Sequence, residues 1–333
     1  MKAVVIGLGS IGRRHLRNLR QFDADARITV LRHDRNLPTP EDAAKLADRI
    51  VYRLDDVLDE RPDYAVIASP APFHTEAATV LAERGVHLFI EKPIADRLEG
   101  VDSLINVCRR NECVLLIGYV LRYHPLLQIV RESICRGDIG RVLSLRAEVG
   151  QYLPEWRPAL DYRQSVSARK DLGGGALLEL SHEIDYVRWL GGEIVNVYAY
   201  TAHAGGLEID VEDLAEITLR YENGAVGSIH LDMVQACPTR TCRVIGTDGT
   251  LDCDFFKTKV CIYSRQTKQW ADLSLKETIA KNDIYIIQMQ HFLDCVAGRT
   301  KPIVTGEDGK RVLQIVLAAK DSAESGRSVD LGT

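Results

Sequence analysis

Three glycines spaced Gly7-x-Gly9-x-x-Gly12 follow directly on the short apolar run Lys2–Ile6, and the next segment, Arg13–Arg20, has helical character. A strand that must turn at once into a helix through such glycines leaves few folds open to the chain. Gly7 permits the tight turn, Gly9 lets the backbone approach a pyrophosphate, and Gly12 lets the helix lie close against the strand. The amides at the helix start, those of Ser10 and Ile11 among them, together with the positive end of the helix dipole, favour a diphosphate there. The pattern predicts a dinucleotide-binding turn.

The 333 residues exceed one ordinary domain and fit two. A 46% apolar and 27% charged composition is that of a globular chain. The net charge of −5 gives no reason to expect nucleic acid or an anionic membrane surface as partner. The longest near-apolar run, Cys113–Leu121, is far short of a membrane span. The first strand begins at the N-terminus with no signal-peptide pattern before it, so the expected location is cytoplasmic. Eight scattered cysteines lack the spacing of a zinc site and read as free thiols, and no metal is expected.

The first third of the chain alternates strands and helices. Ile28–Leu31, Tyr64–Ala68, Val86–Ile90 and Val114–Ile117 read as strands, and Glu76–Arg84 as a helix. That alternation predicts an α/β Rossmann domain with a doubly wound parallel sheet. Ligands of such sheets bind beyond the carboxyl ends of the strands, which places Ser69-Pro70 and Glu91-Lys92 beside the cofactor. The remainder reads as an α+β domain. Strands are expected at Val142–Gln151 and Val195–Thr201, and two hairpins turn at Asn223-Gly224 and Asp248-Gly249. These make a mostly antiparallel, open-faced sheet, one face packed on helices and the other solvated or covered by another subunit. The boundary is expected near Arg122–Pro125, giving a dinucleotide-binding domain over residues 1–121 and a substrate-binding and oligomerisation domain over 122–333.

Two clusters carry groups suited to proton chemistry. Glu91-Lys92-Pro93 closes a sheet strand, where a lysine between an acid and a rigid proline can serve acid–base work or hold a substrate hydroxyl. The run Gly173–Leu190 places apolar residues at Leu177, Leu178, Ile184, Val187 and Leu190 at helical spacing. Glu179, His182 and Asp185 then recur on one broad face. A histidine flanked by carboxylates has its tautomer set and can take a hydroxyl proton as a hydride leaves.

The glycine turn, Ala68-Ser69-Pro70…His74, Glu91-Lys92-Pro93 and the Gly-Gly-Gly…His-x-x-Asp segment together resemble the Gfo/Idh/MocA family over the whole chain. The resemblance implies NAD(P)-dependent oxidation of sugars, inositols or nucleotide sugars, and a homodimer or homotetramer formed through the open sheet face. It implies Lys92 as the catalytic lysine, His182 as the general acid–base, and Asp185 as its supporting acid. One departure stands: the family commonly has an aspartate four residues before the histidine, where this chain has Leu178, the nearest acid being Glu179. His74 resembles the family's cofactor-loop histidine. The stretch from Gly150 to Ala176 is similar to members that build bacterial surface sugars.

Twenty positions past Gly12 lies Arg32, followed by His33, Asp34 and Arg35. An arginine there suits the 2′-phosphate of NADP, whereas Asp34 would suit the ribose of NAD, so NADP is favoured and NAD stays open. Trp156, Arg157 and Tyr162, with Tyr119 and Arg122, are expected on the substrate side, since aromatic rings stack on sugars and arginines pair with anionic groups. Two alternatives to simple sugar oxidation remain: a non-catalytic NAD(P)-binding regulator, and an enzyme that oxidises transiently to epimerise or eliminate.

Overall fold

The computed structural model describes residues 1–36, 39–275 and 279–332. The chain divides into two compact units, Met1–Val120 with Ala280–Leu313, and Leu121–Ile279 with Gln314–Thr333. Among the described residues no helix is long and apolar enough to cross a membrane.

The first unit holds a six-stranded, wholly parallel sheet of β1 (Lys2–Ile6), β2 (Arg27–Leu31), β3 (Arg49–Val51), β4 (Tyr64–Ile67), β5 (His87–Ile90) and β6 (Leu115–Ile117). Its order is β3-β2-β1-β4-β5-β6, with every neighbouring pair parallel. This is the doubly wound dinucleotide-binding order, in which ligands sit where the winding reverses, between β1 and β4. The central strands are buried on both faces, so β4 is apolar throughout instead of alternating.

The glycine turn forms as the spacing predicts. Gly7 has φ +92°, and a Cβ there would stand 2.8 Å from the Ala68 carbonyl oxygen. A Cβ at Gly12 would collide with the carbonyl oxygen of Gly7. The helix Ser10–Phe22 follows, burying Gly12, His15, Leu16, Asn18 and Leu19.

Ala280–Leu313 belongs to the first unit, which a single cut after residue 121 does not provide for. The reason is packing. On the helix Asp283–Val296, Phe292 meets Phe89 and Tyr64 edge-on with ring centroids 5.6 and 5.7 Å apart, and Met289, Phe292 and Leu293 join the core formed by Val5, Leu16, Ile28 and Val66. Burying a phenylalanine is worth about 1.5–3 kcal/mol, so this helix is held in the first unit by its apolar face.

The second unit carries a nine-stranded sheet of β7 (Val142–Gly150), β8 (Ile194–Ala202), β9 (Leu214–Tyr221), β10 (Val226–Asp232), β11 (Thr239–Gly246), β12 (Gly249–Asp254), β13 (Lys259–Ser264), β14 (Gln269–Asp272) and β15 (Val329–Asp330). The order is β14-β13-β12-β11-β7-β10-β9-β8-β15, antiparallel except for the β7–β10 pair. Both expected hairpins are present, and Gly224 supplies φ +84° at the first. Burial alternates along β9, with Ala215, Ile217, Leu219 and Tyr221 inward. The helices Pro125–Arg136 and His182–Gly191 pack on the sheet. On the opposite face, Arg146, Glu148, Glu216, Ser228, His230, Arg243 and Asp252 line an open depression.

Candidate active site

In the first unit, the expected cofactor residues gather at the carboxyl ends of β1, β2, β4 and β5. Among the described residues, Gly9 ends the turn without a side-chain cap on the following helix, and a Cβ there would meet nothing within 4 Å. The helix start is thus open to a ligand, and its amides suit a diphosphate. These features fit a dinucleotide.

Ser69 and Pro70 follow β4 directly. His74 ties that loop to the one after β5: its Nε2 is 2.7 Å from the Ser69 carbonyl oxygen and its Nδ1 3.0 Å from that of Pro93. Burial pushes the His74 pKa below its ordinary value, opposed by those backbone partners and by Glu91. The neutral ring carries one N–H and donates to one of the two carbonyls at a time.

Lys92 follows β5, half-buried, and its peptide bond to Pro93 is cis. The carboxylate of Glu91 is 8% exposed and accepts the Lys92 N–H at Oε2, 3.3 Å away. Its Oε1 lies 2.5 Å from Nε2 of His15, which is fully buried on the helix Ser10–Phe22. The sequence reading did not single out His15. The available signal was a histidine three residues past Gly12, on the face that also carries Leu16 and Leu19.

Past β2, Arg32 is 7% exposed and its Nη1 donates to Thr39 Oγ1 at 2.6 Å. Asp34 accepts the Asn36 N–H at 2.7 Å, and His33 meets Phe73 edge-on at 5.8 Å. The Arg35 guanidinium lies 5.0 Å from the Tyr52 ring centroid. Tyr119 is completely buried just past β6.

In the second unit, the single helix expected to carry Glu179, His182 and Asp185 is two. Ala176–Glu179 is a short helix, Leu180 and Ser181 form a turn, and His182 opens the helix His182–Gly191. The break comes where Leu180 has φ −99° and ψ 21°, outside the α-helical well. Glu179, His182 and Asp185 therefore do not share one continuous helical face. Glu179 accepts from Ser167 Oγ at 2.7 Å. Asp185 is fully buried and is held by Arg122, itself 3% exposed, whose Nε and Nη2 reach its two oxygens at 2.7 to 3.1 Å. His182, three residues before Asp185, is half-buried.

The aromatic and cationic stretch before these helices also belongs to this unit. Trp156 donates its indole N–H to the Gln151 carbonyl at 3.0 Å, Tyr162 Oη accepts the Glu208 N–H at 3.2 Å, and Arg157 is exposed. Among the described residues no group of three histidine, cysteine or carboxylate side chains could hold a metal ion.

Comparison with known proteins agrees with this architecture. Residues 1–119 match the model of an oxidoreductase family with an NAD-binding Rossmann fold, and residues 127–252 match the GFO/IDH/MocA C-terminal domain. The chain is 29% identical to myo-inositol 2-dehydrogenase of Thermotoga maritima, covering 99% of this chain and 98% of the relative. It is 28% identical to UDP-N-acetylglucosamine 3-dehydrogenase of Acidithiobacillus ferrooxidans, over 98% of each. Levoglucosan dehydrogenase, solved with NADH and levoglucosan, superimposes with a TM-score of 0.88 at 21% identity, over 100% of this chain and 99% of that one. The WlbA dehydrogenase of Bordetella pertussis, solved with NADH and UDP-GlcNAcA, does so with a TM-score of 0.81 at 25% identity, over 100% and 99%. With the glycine turn, the Glu91-Lys92-Pro93 turn and both family domains in place, the chain belongs to the Gfo/Idh/MocA family of NAD(P)-dependent oxidoreductases.

Proposed function

We propose that this protein oxidises a hydroxyl of a sugar, nucleotide sugar or related polyol. The observation that carries the reading is the open glycine turn after β1 in the same unit as Lys92 at the end of β5, because ligands of this sheet order bind at those strand ends. The identity of the relatives, an inositol and a nucleotide-sugar dehydrogenase, supports the substrate class. When bound, the dinucleotide supplies the hydride acceptor. Lys92 holds and polarises the substrate oxygen as an ammonium donor. His182 takes the hydroxyl proton, and Asp185, fixed by Arg122, supports His182 and Lys92 in that transfer. Trp156, Arg157 and Tyr162 receive the polyhydroxylated body of the substrate, and Glu179 stands by as a further acid.

Within the cofactor class we infer a preference for NADP. The residue directly after β2 is the cation Arg32, Arg35 follows close by, and Asp34 is engaged by the Asn36 amide. Arginine pairs well with a 2′-phosphate. We also place self-association on the polar face of the nine-stranded sheet and cellular location in the cytoplasm, where NADP(H) is available.

The test is to mix the enzyme with NADP+ or NAD+ and myo-inositol, levoglucosan, UDP-N-acetylglucosamine and a set of free aldoses, following absorbance of the reduced nicotinamide. Reduction with at least one sugar, faster with NADP+ and reversed in preference by Arg32→Ala, is the expected result. No reduction with any of them, and no binding of NADPH or NADH by fluorescence, would overturn the reading.

A further inference from the structure

Glu91 is confined on three sides. Its N–H donates to the Ile67 carbonyl at 2.9 Å, fixing its backbone to β4. Gly118 lies against it so tightly that a Cβ there would stand 2.8 Å from Oε2 and 3.0 Å from the Glu91 Cα. Its Oε1 meets Nε2 of His15 at 2.5 Å, on a side chain with no exposure at all. The His15 ring packs edge-on against Phe89, centroids 4.9 Å apart, so the imidazole has little freedom to turn.

The protonation pattern follows from partners. Among the described residues, Nδ1 of His15 is buried without a hydrogen-bond partner. A bare ring nitrogen is cheaper to bury than an N–H with nowhere to donate, so the proton sits on Nε2 and is donated to the carboxylate. Glu91 therefore accepts from His15 at one oxygen and from the Lys92 N–H at the other. The helix that begins at the glycine turn and the residue that bears the Lys92 side chain are joined through a single carboxylate.

We infer that His15 and Glu91 are positioning residues that fix where Lys92 presents its ammonium relative to the dinucleotide turn. The inference rests on the reading of Lys92 as the group that holds the substrate oxygen. It assigns a role to a buried histidine, 76 residues away in sequence, that acts through Glu91. A small misplacement of a reacting group is enough to slow turnover about 100-fold.

The test compares wild type, His15→Ala, His15→Gln, Glu91→Gln and His15→Ala/Glu91→Gln. Glutamine can place its Nε2 donor near where the imidazole N–H stood. Lysines are labelled by reductive 13C-methylation, and the Lys92 signal is identified by its loss in Lys92→Arg. In the protein without substrate, the Lys92 resonance is expected to move in His15→Ala and in Glu91→Gln and to return towards wild type in His15→Gln. His15→Ala should add nothing once Glu91→Gln is present. With a sugar that the wild type oxidises, His15→Ala should lower kcat about 10- to 100-fold, with KM for the dinucleotide within about 3-fold.

A merely structural pair would lower thermal stability and leave the Lys92 resonance in place, and that result overturns the inference. A His15→Ala effect that persists undiminished in the Glu91→Gln background also overturns it. Should His15→Ala fail to fold, Glu91→Gln keeps the shape and removes the charge, and an unmoved Lys92 signal in that variant is equally decisive. If no sugar is oxidised by wild type, the substrate reading fails on its own while the labelled lysine still decides this one.

Discussion

Arg122 grips Asp185 with two nitrogens at once: Nε lies 3.1 and 3.0 Å from the two carboxylate oxygens and Nη2 lies 2.7 Å from Oδ1. Both side chains are buried, 3% and 1% exposed. Breaking a buried ion pair by removing one member typically costs about 3–5 kcal/mol. Asp185→Ala should lose stability of that order in urea denaturation, while a joint replacement of Arg122 and Asp185 by leucine should cost much less. Equal losses in the single and double variants would show that the pair is not acting as a unit.

Turnover should depend on Lys92 and His182 separately from coenzyme binding. A positioned proton-transfer group contributes about 10²- to 10⁴-fold. His182→Ala is expected to reduce kcat within that range, with the fluorescence titration of NADPH unchanged. Lys92→Ala should do the same with a rise in KM for the sugar. Wild-type rates in either variant would remove that residue from the mechanism.

Gly12→Ala tests the turn itself. The added methyl would meet the Gly7 carbonyl oxygen, so either the helix Ser10–Phe22 moves or the turn opens. Overpacking of this kind costs about 1–3 kcal/mol. Coenzyme binding should be lost or weakened at least tenfold by calorimetry, in a protein that remains folded by circular dichroism. Unaltered affinity would mean that the diphosphate is held elsewhere.

On the polar face of the nine-stranded sheet, His230 lies between two carboxylates, Nδ1 at 2.6 Å from Glu216 and Nε2 at 2.9 Å from Asp232. The Asp232 hydrogen bond, opposed by burial and joined by Glu216, raises the imidazole from its ordinary 6.5 to about 9. Asp232 is pushed up by burial, but the His230 contact and the amides of Val234 and Gln235 outweigh this and hold it below 3.8. The histidine's contribution to stability is complete below pH 6.5 and disappears as pH rises through 9. The aspartate's is present above pH 3.8 and is lost as pH falls through its lowered value. Stability should therefore fall between pH 6.5 and 9 by an amount that His230→Asn removes, measured as the difference in urea midpoints across that range. A His230→Asn curve parallel to wild type over the same range would rule the triad out as the cause.

Elements whose rules are local were legible in the residues alone. Strand β1, the glycine turn and its helix are written within some twenty residues, and Asn223-Gly224 places the β9–β10 hairpin because two central residues set its geometry. Alternation of strand and helix was enough for the parallel sheet, and the motifs of both domains were enough for the family. The long-range partners come from packing. Arg122 reaches Asp185 across 63 residues, and His15 reaches Glu91 across 76. Nothing in the spacing of these residues encodes those meetings, which depend on how the elements within each unit pack. The turn at Leu180–Ser181 divided a helix that apolar periodicity read as continuous, because periodicity records which side chains are buried and not whether the backbone stays helical between them. Ala280–Leu313 returned to the first unit for the same kind of reason: the apolar face of Asp283–Val296 fits many surfaces in sequence, and only the packed core around Phe89 and Tyr64 selects one.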